Sequence, residues 1–436
     1  MLSRFRLYGV AAIVAAACIA VAGCGGDDNG GGGASGSEDV SGSLSMSGVW
    51  TGQEARSFNK VLDGFKEKYP NVDVKYRPVG DEIPTVLSTA VSGGNPPDLA
   101  AVPQPGLVRD FVERNALKPI DFAKDTLDEN FSKDVVDVST IGGKPYGVLF
   151  KSANKSTVWY NVQLFEQAGV EGPDDFDKFL ENAKTLKASG TKAYSVGASD
   201  GWTLTDLFEN IYLRQAGGDK YDQLTKHDIP WTDQSVKDAL ETMAKIVGDT
   251  QNIAGGTAGA LETDFPGSVT NAFKDSPDAA QVMEGDFVDS EIRSSTKAKP
   301  ETGFNFFDFP AIDGSPSTVV GGGDTVIMFD DSPAARALIE YLATPEAAEI
   351  RAKEGGYSSA NKNVDESAYS DPLQAKAATA IGDADVFRFD LSDQQPAKFG
   401  ATVGQGLWKD FQDFLRSPDD VDGAAQKMEQ DAKRAF

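Results

Sequence analysis

Leu44-Ser45-Met46-Ser47-Gly48-Val49-Trp50 alternates apolar and small polar residues, and Val72-Asp73-Val74-Lys75-Tyr76 alternates again soon after. Alternation of this kind predicts half-buried strands. Between them Phe58, Val61, Leu62, Phe65 and Tyr69 recur at i, i+3, i+4, i+7 and i+11, the apolar stripe of a helix that Pro70-Asn71 stops. A strand, a helix and a strand in so short a span make a βαβ unit, so the predicted class is α/β.

The same punctuation continues along the chain. Ile83 to Val91 predicts a helix, Gly93-Gly94-Asn95-Pro96-Pro97 a break, and Asp98 to Val102 a short buried strand. Tyr146 to Lys151 and Thr157 to Tyr160 predict two strands around a Ser152-Ala153-Asn154 turn. Asp175 is placed to cap a helix carrying Phe176, Phe179, Leu180, Ala183 and Leu186. Gly321-Gly322-Gly323 predicts a turn feeding the apolar strand Asp324 to Phe329, and Ser332-Pro333 and Thr344-Pro345 open two helices. No internal repeat is visible.

Charge and cysteine usage remove whole classes of function. The chain has 436 residues with 41 Lys+Arg against 67 Asp+Glu, a net charge of −26. Such a surface repels phosphate backbones, which argues against nucleic acid as a partner. Arg4 and Arg6 precede an apolar run from Leu7 to Ala22, shorter than the roughly 20 residues that span a bilayer. Small residues end the run at Val21-Ala22-Gly23-Cys24, as in a cleavable signal. This junction resembles the lipobox of bacterial lipoproteins, which implies a signal peptide over 1–23 and lipidation of Cys24. An ordinary secretory signal or a plain N-terminal anchor are the alternatives. Gly25 to Ser43 then reads as a flexible tether, giving a linker over 24–43. Cys18 would leave with the signal, so neither disulfide nor thiolate chemistry is expected. With His227 as the single histidine and no Asp-x-Asp-x-Asp-Gly loop, no metal and no cofactor are expected.

Several segments together resemble the extracellular solute-binding proteins of ABC importers, in the large sugar-binding family that includes maltose-binding protein. They are Trp159-Tyr160-Asn161 through Leu164-Phe165-Glu166-Gln167-Ala168-Gly169-Val170, Met283-Glu284-Gly285-Asp286-Phe287-Val288, and Tyr341-Leu342-Ala343-Thr344-Pro345-Glu346. Val102-Pro103-Gln104-Pro105-Gly106, Gly322-Gly323-Asp324, Gly355-Gly356-Tyr357-Ser358, Phe387-Arg388-Phe389-Asp390-Leu391-Ser392-Asp393 and Leu407-Trp408 resemble the α-glucoside-binding branch. Gln394-Gln395-Pro396 and the segment around Asp200-Gly201-Trp202 depart from it.

The resemblance implies a two-lobed periplasmic-binding-protein fold (type II, Venus-flytrap) with hinge crossovers and a ligand held in the cleft. The crossovers are expected near Lys151 to Asn154, Ala311 to Ser317 and Gly355-Gly356. An amino lobe would comprise 44–152 plus 314–350, and a carboxyl lobe 153–313 plus 351–436. The implied protein is a monomer and not an enzyme. It would be held at the outer face of the cytoplasmic membrane by its lipid alone, delivering a carbohydrate to ABC permease subunits.

A sugar presents hydroxyls that donate and accept, plus an apolar C–H face, so its site needs carboxylates and amides beside an aromatic platform. In open α/β sheets that site lies beyond the carboxyl ends of strands. Gln53 and Glu54 follow the first strand, although Thr51 and Glu54 also have capping-box spacing. Gln104 follows the third strand. Trp202 is the stacking candidate, in a loop, with a packing role as its alternative. Glu284 and Asp286 flank Gly285, and Gly323 and Asp324 offer close backbone approach and a carboxylate. Tyr357 would cover the ring, Lys151 would reach a hydroxyl or support the hinge, and Trp408 reads as core.

Two enzyme motifs are weighed and set aside. Gly197-Ala198-Ser199-Asp200-Gly201 matches G-x-S-x-G, but its only possible base is His227, in the wrong order for a hydrolase. Ser152-Ala153-Asn154-Lys155 and Ser294-Ser295-Thr296-Lys297 match S-x-x-K without a following Lys-Thr-Gly. A surface glycoside hydrolase using paired acids is the alternative function, because acids are abundant along the chain.

Overall fold

The computed structural model describes residues 40–370 and 372–436. The lipidation candidate Cys24, the signal 1–23 and most of the tether lie outside them.

Among the described residues eleven strands form the frame: β1 Gly42–Gly48, β2 Val72–Pro78, β3 Leu99–Val102, β4 Thr140–Ile141, β5 Lys144–Pro145, β6 Gly147–Asn154, β7 Thr157–Asn161, β8 Gln281–Met283, β9 Phe304–Asp308, β10 Thr318–Met328 and β11 Val386–Phe389. The opening βαβ unit is present, with β1 parallel to β2 and joined to it through the helix Gly52–Lys68. That helix buries Ala55, Phe58, Val61, Leu62 and Phe65, as its stripe requires. The first strand starts at Gly42, two residues inside the expected tether, because Gly42 and Ser43 pair with Val72 and Asp73.

One sheet has six strands in the order β11-β10-β3-β1-β2, with β6 also paired to β10. Its inner strands β3, β6 and β10 are buried on both faces, while β2 and β11 at the edges are partly exposed, and alternate inner residues feed different cores. Leu99, Ala101, Val326 and Met328 join Trp50, Phe58 and Phe65, while Ala100, Val102 and Ile327 join Leu87, Leu107 and Phe111. A second sheet, β8-β7-β9, is sandwiched likewise. Val158 packs into the cluster of Phe208, Tyr212 and Trp231, and Trp159 into that of Phe273, Phe304 and Phe306.

The chain passes between the sheets in two short stretches. Only Lys155 and Ser156 separate β6 from β7, and residues 309–317 separate β9 from β10. The helix that begins at Trp202, continuous as far as a kink at Gly217 within Trp202–Thr225, holds both. Arg214 donates to the carbonyls of Phe309 at 3.1 Å and Thr318 at 2.7 Å, and Asn210 donates to that of Lys155 at 2.9 Å. Burial pushes the Arg214 guanidinium down to about 9.

Two expectations are corrected here. Ser152, Ala153 and Asn154 continue β6 rather than turning, because they pair with Gly323, Gly322 and Gly321. Those glycines are therefore strand, not turn. A Cβ on Gly323 would meet the Lys151 carbonyl oxygen at 2.3 Å, and one on Gly322 would meet the Lys155 side chain at 2.7 Å. The glycines serve close approach of β6 to β10.

Candidate functional site

Polar and aromatic side chains converge on a cavity of about 310 Å³ beyond the carboxyl ends of β1, β2 and β3. Its size lies at the lower end of small-molecule sites, roughly 300–1,000 Å³. Those strand ends bring Thr51 and Glu54, Gly80 and Asp81, and Gln104. β6 contributes Lys151 and, just past its end, Lys155; β10 contributes Asp324. Trp202, Phe265, Phe287, Asp390, Asp393 and Trp408 add to the wall, as do Asp200 and Asp264.

Two lysines organise the charge. They stand four residues apart along extended chain, a spacing that a period of two puts on one side. Lys151 Nζ lies 2.6 Å from Glu54 and 3.6 Å from Asp324, and Trp50 Nε1 donates to Asp324 at 2.6 Å. The register shift between Asp324 and Thr325 falls at this point of β10. Lys155 Nζ lies 3.1 Å from Asp206, 2.5 Å from Asp390 and 3.7 Å from Asp393. Each ammonium also sits over a ring, Lys151 at 5.1 Å from Phe287 and Lys155 at 5.8 Å from Trp202. Burial pulls the Lys155 ammonium down, but Asp206 and Asp390 outweigh it and hold it well above the usual lysine value. Asp206 itself is pushed up to about 7 by burial, partly opposed by Lys155.

The Asp390–Asp393 turn is held from below. Glu209 accepts from the backbone N–H of Leu391 at 2.7 Å and of Ser392 at 3.0 Å, and from the Tyr221 hydroxyl at 2.7 Å. Gly201 (φ 86°) starts the helix that presents Trp202, and a Cβ there would strike Trp408 at 2.6 Å. The Trp202 indole donates to Asp81 at 3.3 Å, and its ring packs 5.3 Å from Phe265 and 5.9 Å from Phe287. Two polar atoms on the wall lack partners although their residues are 97% buried: Gln104 Oε1, an acceptor, and Trp408 Nε1, a donor. Groups left so are expected where a ligand or water completes them.

Of the residues singled out in the sequence, Glu54, Gln104, Lys151, Trp202 and Asp324 meet on this wall. Thr51 makes no capping bond, and Glu54 spends its carboxylate on Lys151. The others do not reach it. Gln53 bonds along its own helix to Ser57 and Arg56. Gly323 is enclosed in β10 opposite Ser152. Tyr357 is buried, donating to the Phe150 carbonyl at 2.6 Å. Asp286 accepts from the Asn154 N–H at 3.1 Å and from the Ser358 hydroxyl, tying chain segments behind the cavity. Glu284 is buried below it, driven well up by burial and then by the Asp206 carboxylate. Trp202 opens a helix rather than lying in a loop, and Trp408 lines the wall rather than only the core.

Lys155, Asp81, Asp200, Phe287, Asp390 and Asp393 were not among the site residues expected from the sequence. A signal existed for Lys155, which follows Lys151 at a spacing that keeps one face of a strand. His227 lies 3.0 Å from Glu429, so it serves no Ser199 nucleophile. A larger groove of about 1130 Å³ runs past Tyr369, Lys376 and Phe387, but no lining residue there carries an unpartnered buried polar atom.

Residues 51–349 match the profile of the bacterial extracellular solute-binding proteins, more than half of the chain. The chain belongs to that family. Curated relatives agree over nearly full length. This solute-binding protein is 32% identical to the osmoprotective compounds-binding protein GgtB of Synechocystis sp., over 88% of this chain and 91% of that one. It is 31% identical to the alpha-glucosides-binding periplasmic protein AglE of Rhizobium meliloti, over 89% and 86%. Its fold superposes on the bacterial solute receptor AcbH with a TM-score of 0.80 at 20% identity, over 90% of this chain and 99% of that one. The architecture is therefore the two-lobed α/β fold of solute-binding proteins, as the sequence resemblance implied.

The pH dependence of stability follows from the raised carboxyls. Burial and then the neighbouring Asp200 carboxylate push Asp81 up to about 7, and burial pushes Asp286 to about 6. A carboxyl whose folded value is raised holds its proton longer in the native state than in the unfolded one. Its contribution is complete below the unfolded value, roughly 3.9, and is lost as pH rises through 6 to 7. The midpoint of thermal unfolding is expected to be higher at pH 5.5 than at pH 8, and Asp81→Asn to flatten the difference. A midpoint that rises with pH over this range would contradict the assignment.

Proposed function

We propose that this solute-binding protein captures a carbohydrate, an α-glucoside or related oligosaccharide, outside the cell and passes it to the permease of an ABC importer. The observation that carries the reading is the wall itself, where carboxylates, an orphaned amide oxygen and an orphaned indole N–H surround the faces of Trp202 and Phe287. A sugar ring offers matching donors, acceptors and C–H surface. The names of GgtB and AglE accord with a small polar solute. Glu54, Gln104, Lys151, Trp202 and Asp324 would contact it, with Asp390 and Asp393 added.

The ligand would be enclosed between an amino lobe of 44–152 plus 314–350 and a carboxyl lobe of 153–313 plus 351–436. Differential contacts in the closed form drive that equilibrium. The protein acts as a monomer, without cofactor or metal, and breaks no bond in the sugar. Cys24 carries the lipid anchor, and two acyl chains suffice for stable attachment. Cys24→Ser is expected to move the protein from the membrane fraction to the medium while leaving sugar binding intact; retention at the membrane would sink the anchor.

The deciding measurement is a thermal-shift screen against maltose, trehalose, sucrose, melibiose and maltodextrins, since a ligand of the native state raises the unfolding midpoint. Saturable binding without released glucose is expected. Turnover would convert the reading to the glycoside hydrolase, and no shift with any sugar would overturn it.

A further inference from the structure

The carboxylates of the cavity fall into two sets. Those near the lysines are ion-paired: Glu54 and Asp324 with Lys151, and Asp390 and Asp393 with Lys155, which also pairs with Asp206 outside the cavity lining. A second set, Asp81, Asp200 and Asp264, lines the same cavity beside Trp202 and Phe265. Among the described residues no lysine, arginine or histidine is ion-paired with any of the three. Their hydrogen bonds come from neutral donors. Asp81 accepts from the Trp202 indole at 3.3 Å, and Asp200 from the Phe265 N–H at 2.6 Å and the Ser199 hydroxyl at 3.1 Å. Asp264 accepts from the Gly267 N–H at 2.8 Å.

Burial first, and then repulsion from Asp200 and more weakly from Glu82 and Asp264, push Asp81 up to about 7, so charge on this set is costly in the partly enclosed space. Hydroxyls of a neutral sugar could be accepted by the lysine-paired set without this cost. A cation in the cavity would relieve it, because opposite charge at short range favours the ionised carboxylate. The surroundings suit one. Trp202, Phe265 and Phe287 stand with ring centroids 5.3–5.9 Å apart; Lys155 and Lys151 already stand over Trp202 and Phe287, and the aromatic surface that remains covers C–H groups and favours a cation. Gln104 Oε1 and Trp408 Nε1, buried on the same wall without partners, point independently to a polar ligand here.

We propose that the ligand is a carbohydrate bearing a protonated amine, seated with its ammonium among Asp81, Asp200 and Asp264 and its ring against Trp202. The proposal rests on the carbohydrate reading above and narrows it to amino sugars or sugars linked to an amine. The lysine-paired carboxylates and Gln104 then accept from the hydroxyls, and Trp408 Nε1 donates to an oxygen.

The test is calorimetric titration of the protein with two matched pairs, trehalose against trehalosamine and methyl α-glucoside against its 6-amino-6-deoxy derivative. At least one amine is expected to bind about tenfold tighter than its parent, the smaller end of what one charge-assisted hydrogen bond supplies. That ratio should shrink as salt screens the charge. It should collapse toward one in Asp81→Asn and Asp200→Asn, whatever those changes do to the neutral sugar. Amine binding with no measurable affinity for the parent also supports the proposal. A neutral parent that binds as well as its amine, in both pairs, overturns the proposal and leaves the carbohydrate reading standing. Binding of none of the four, with none of the screened sugars shifting the midpoint, overturns both. A ratio unchanged in both Asn variants removes the ammonium from these three residues and overturns the assignment.

Discussion

Lys155→Met is expected to lower the free energy of unfolding by about 3–5 kcal/mol, the range for removing one partner of a buried ion pair. The methionine fills much the same volume, so packing alone would cost little. The loss comes from Asp206, Asp390 and Asp393, which keep their burial and lose the ammonium within 2.5–3.7 Å that offsets it. Urea midpoints at pH 8 measure it. The penalty should shrink toward pH 5, because Asp206, already raised to about 7 beside its lysine, takes a proton as pH falls. A loss under about 1 kcal/mol, the worth of an exposed pair, would show that water already solvates the cluster.

Trp202→Ala carries the second large effect, on binding rather than folding. The indole is partly exposed, makes the ring contacts to Phe265 and Phe287, and supplies the hydrogen bond to Asp81. Its removal is expected to weaken the sugar found by thermal shift by about 30-fold or more, roughly 2 kcal/mol, as for a well-packed aromatic anchor. Trp202→Phe should recover part of this, keeping the platform without the N–H. An affinity within threefold of the parent for Trp202→Ala, in a protein with unchanged unfolding midpoint, would move the stacking platform elsewhere on the wall.

The frame was legible in the sequence wherever a period repeated. The stripe Phe58-Val61-Leu62-Phe65 and the alternation in β1 and β2 each named an element whose burial follows from local geometry. Caps were equally local: Asp175, Ser332 and Thr344 each accept from the N–H three residues on. The glycines at 321–323 misled because the same residue serves turns and close strand approach, and only the partner strand β6 distinguishes them. The site was read best where a residue followed a strand end, as Glu54 and Gln104 do. Tyr357 and Asp286 sit near the crossings but turn inward to Phe150 and Asn154. Asp81 and Asp393 gave no period at all; their role exists only because distant segments fold against Trp202 and Lys155.

The helix that begins at Trp202 has a mechanical consequence. Twelve steps of uninterrupted helix, about 18 Å at 1.5 Å per residue, separate Trp202 from Arg214. One end touches the cavity; the other grips the carbonyls of Phe309 and Thr318, with Asn210 holding Lys155 on the way. A rod fixed at both ends transmits torque. Tilting the indole is therefore expected to strain the two stretches that join the sheets, so the cavity wall and the crossings of this protein belong to a single lever.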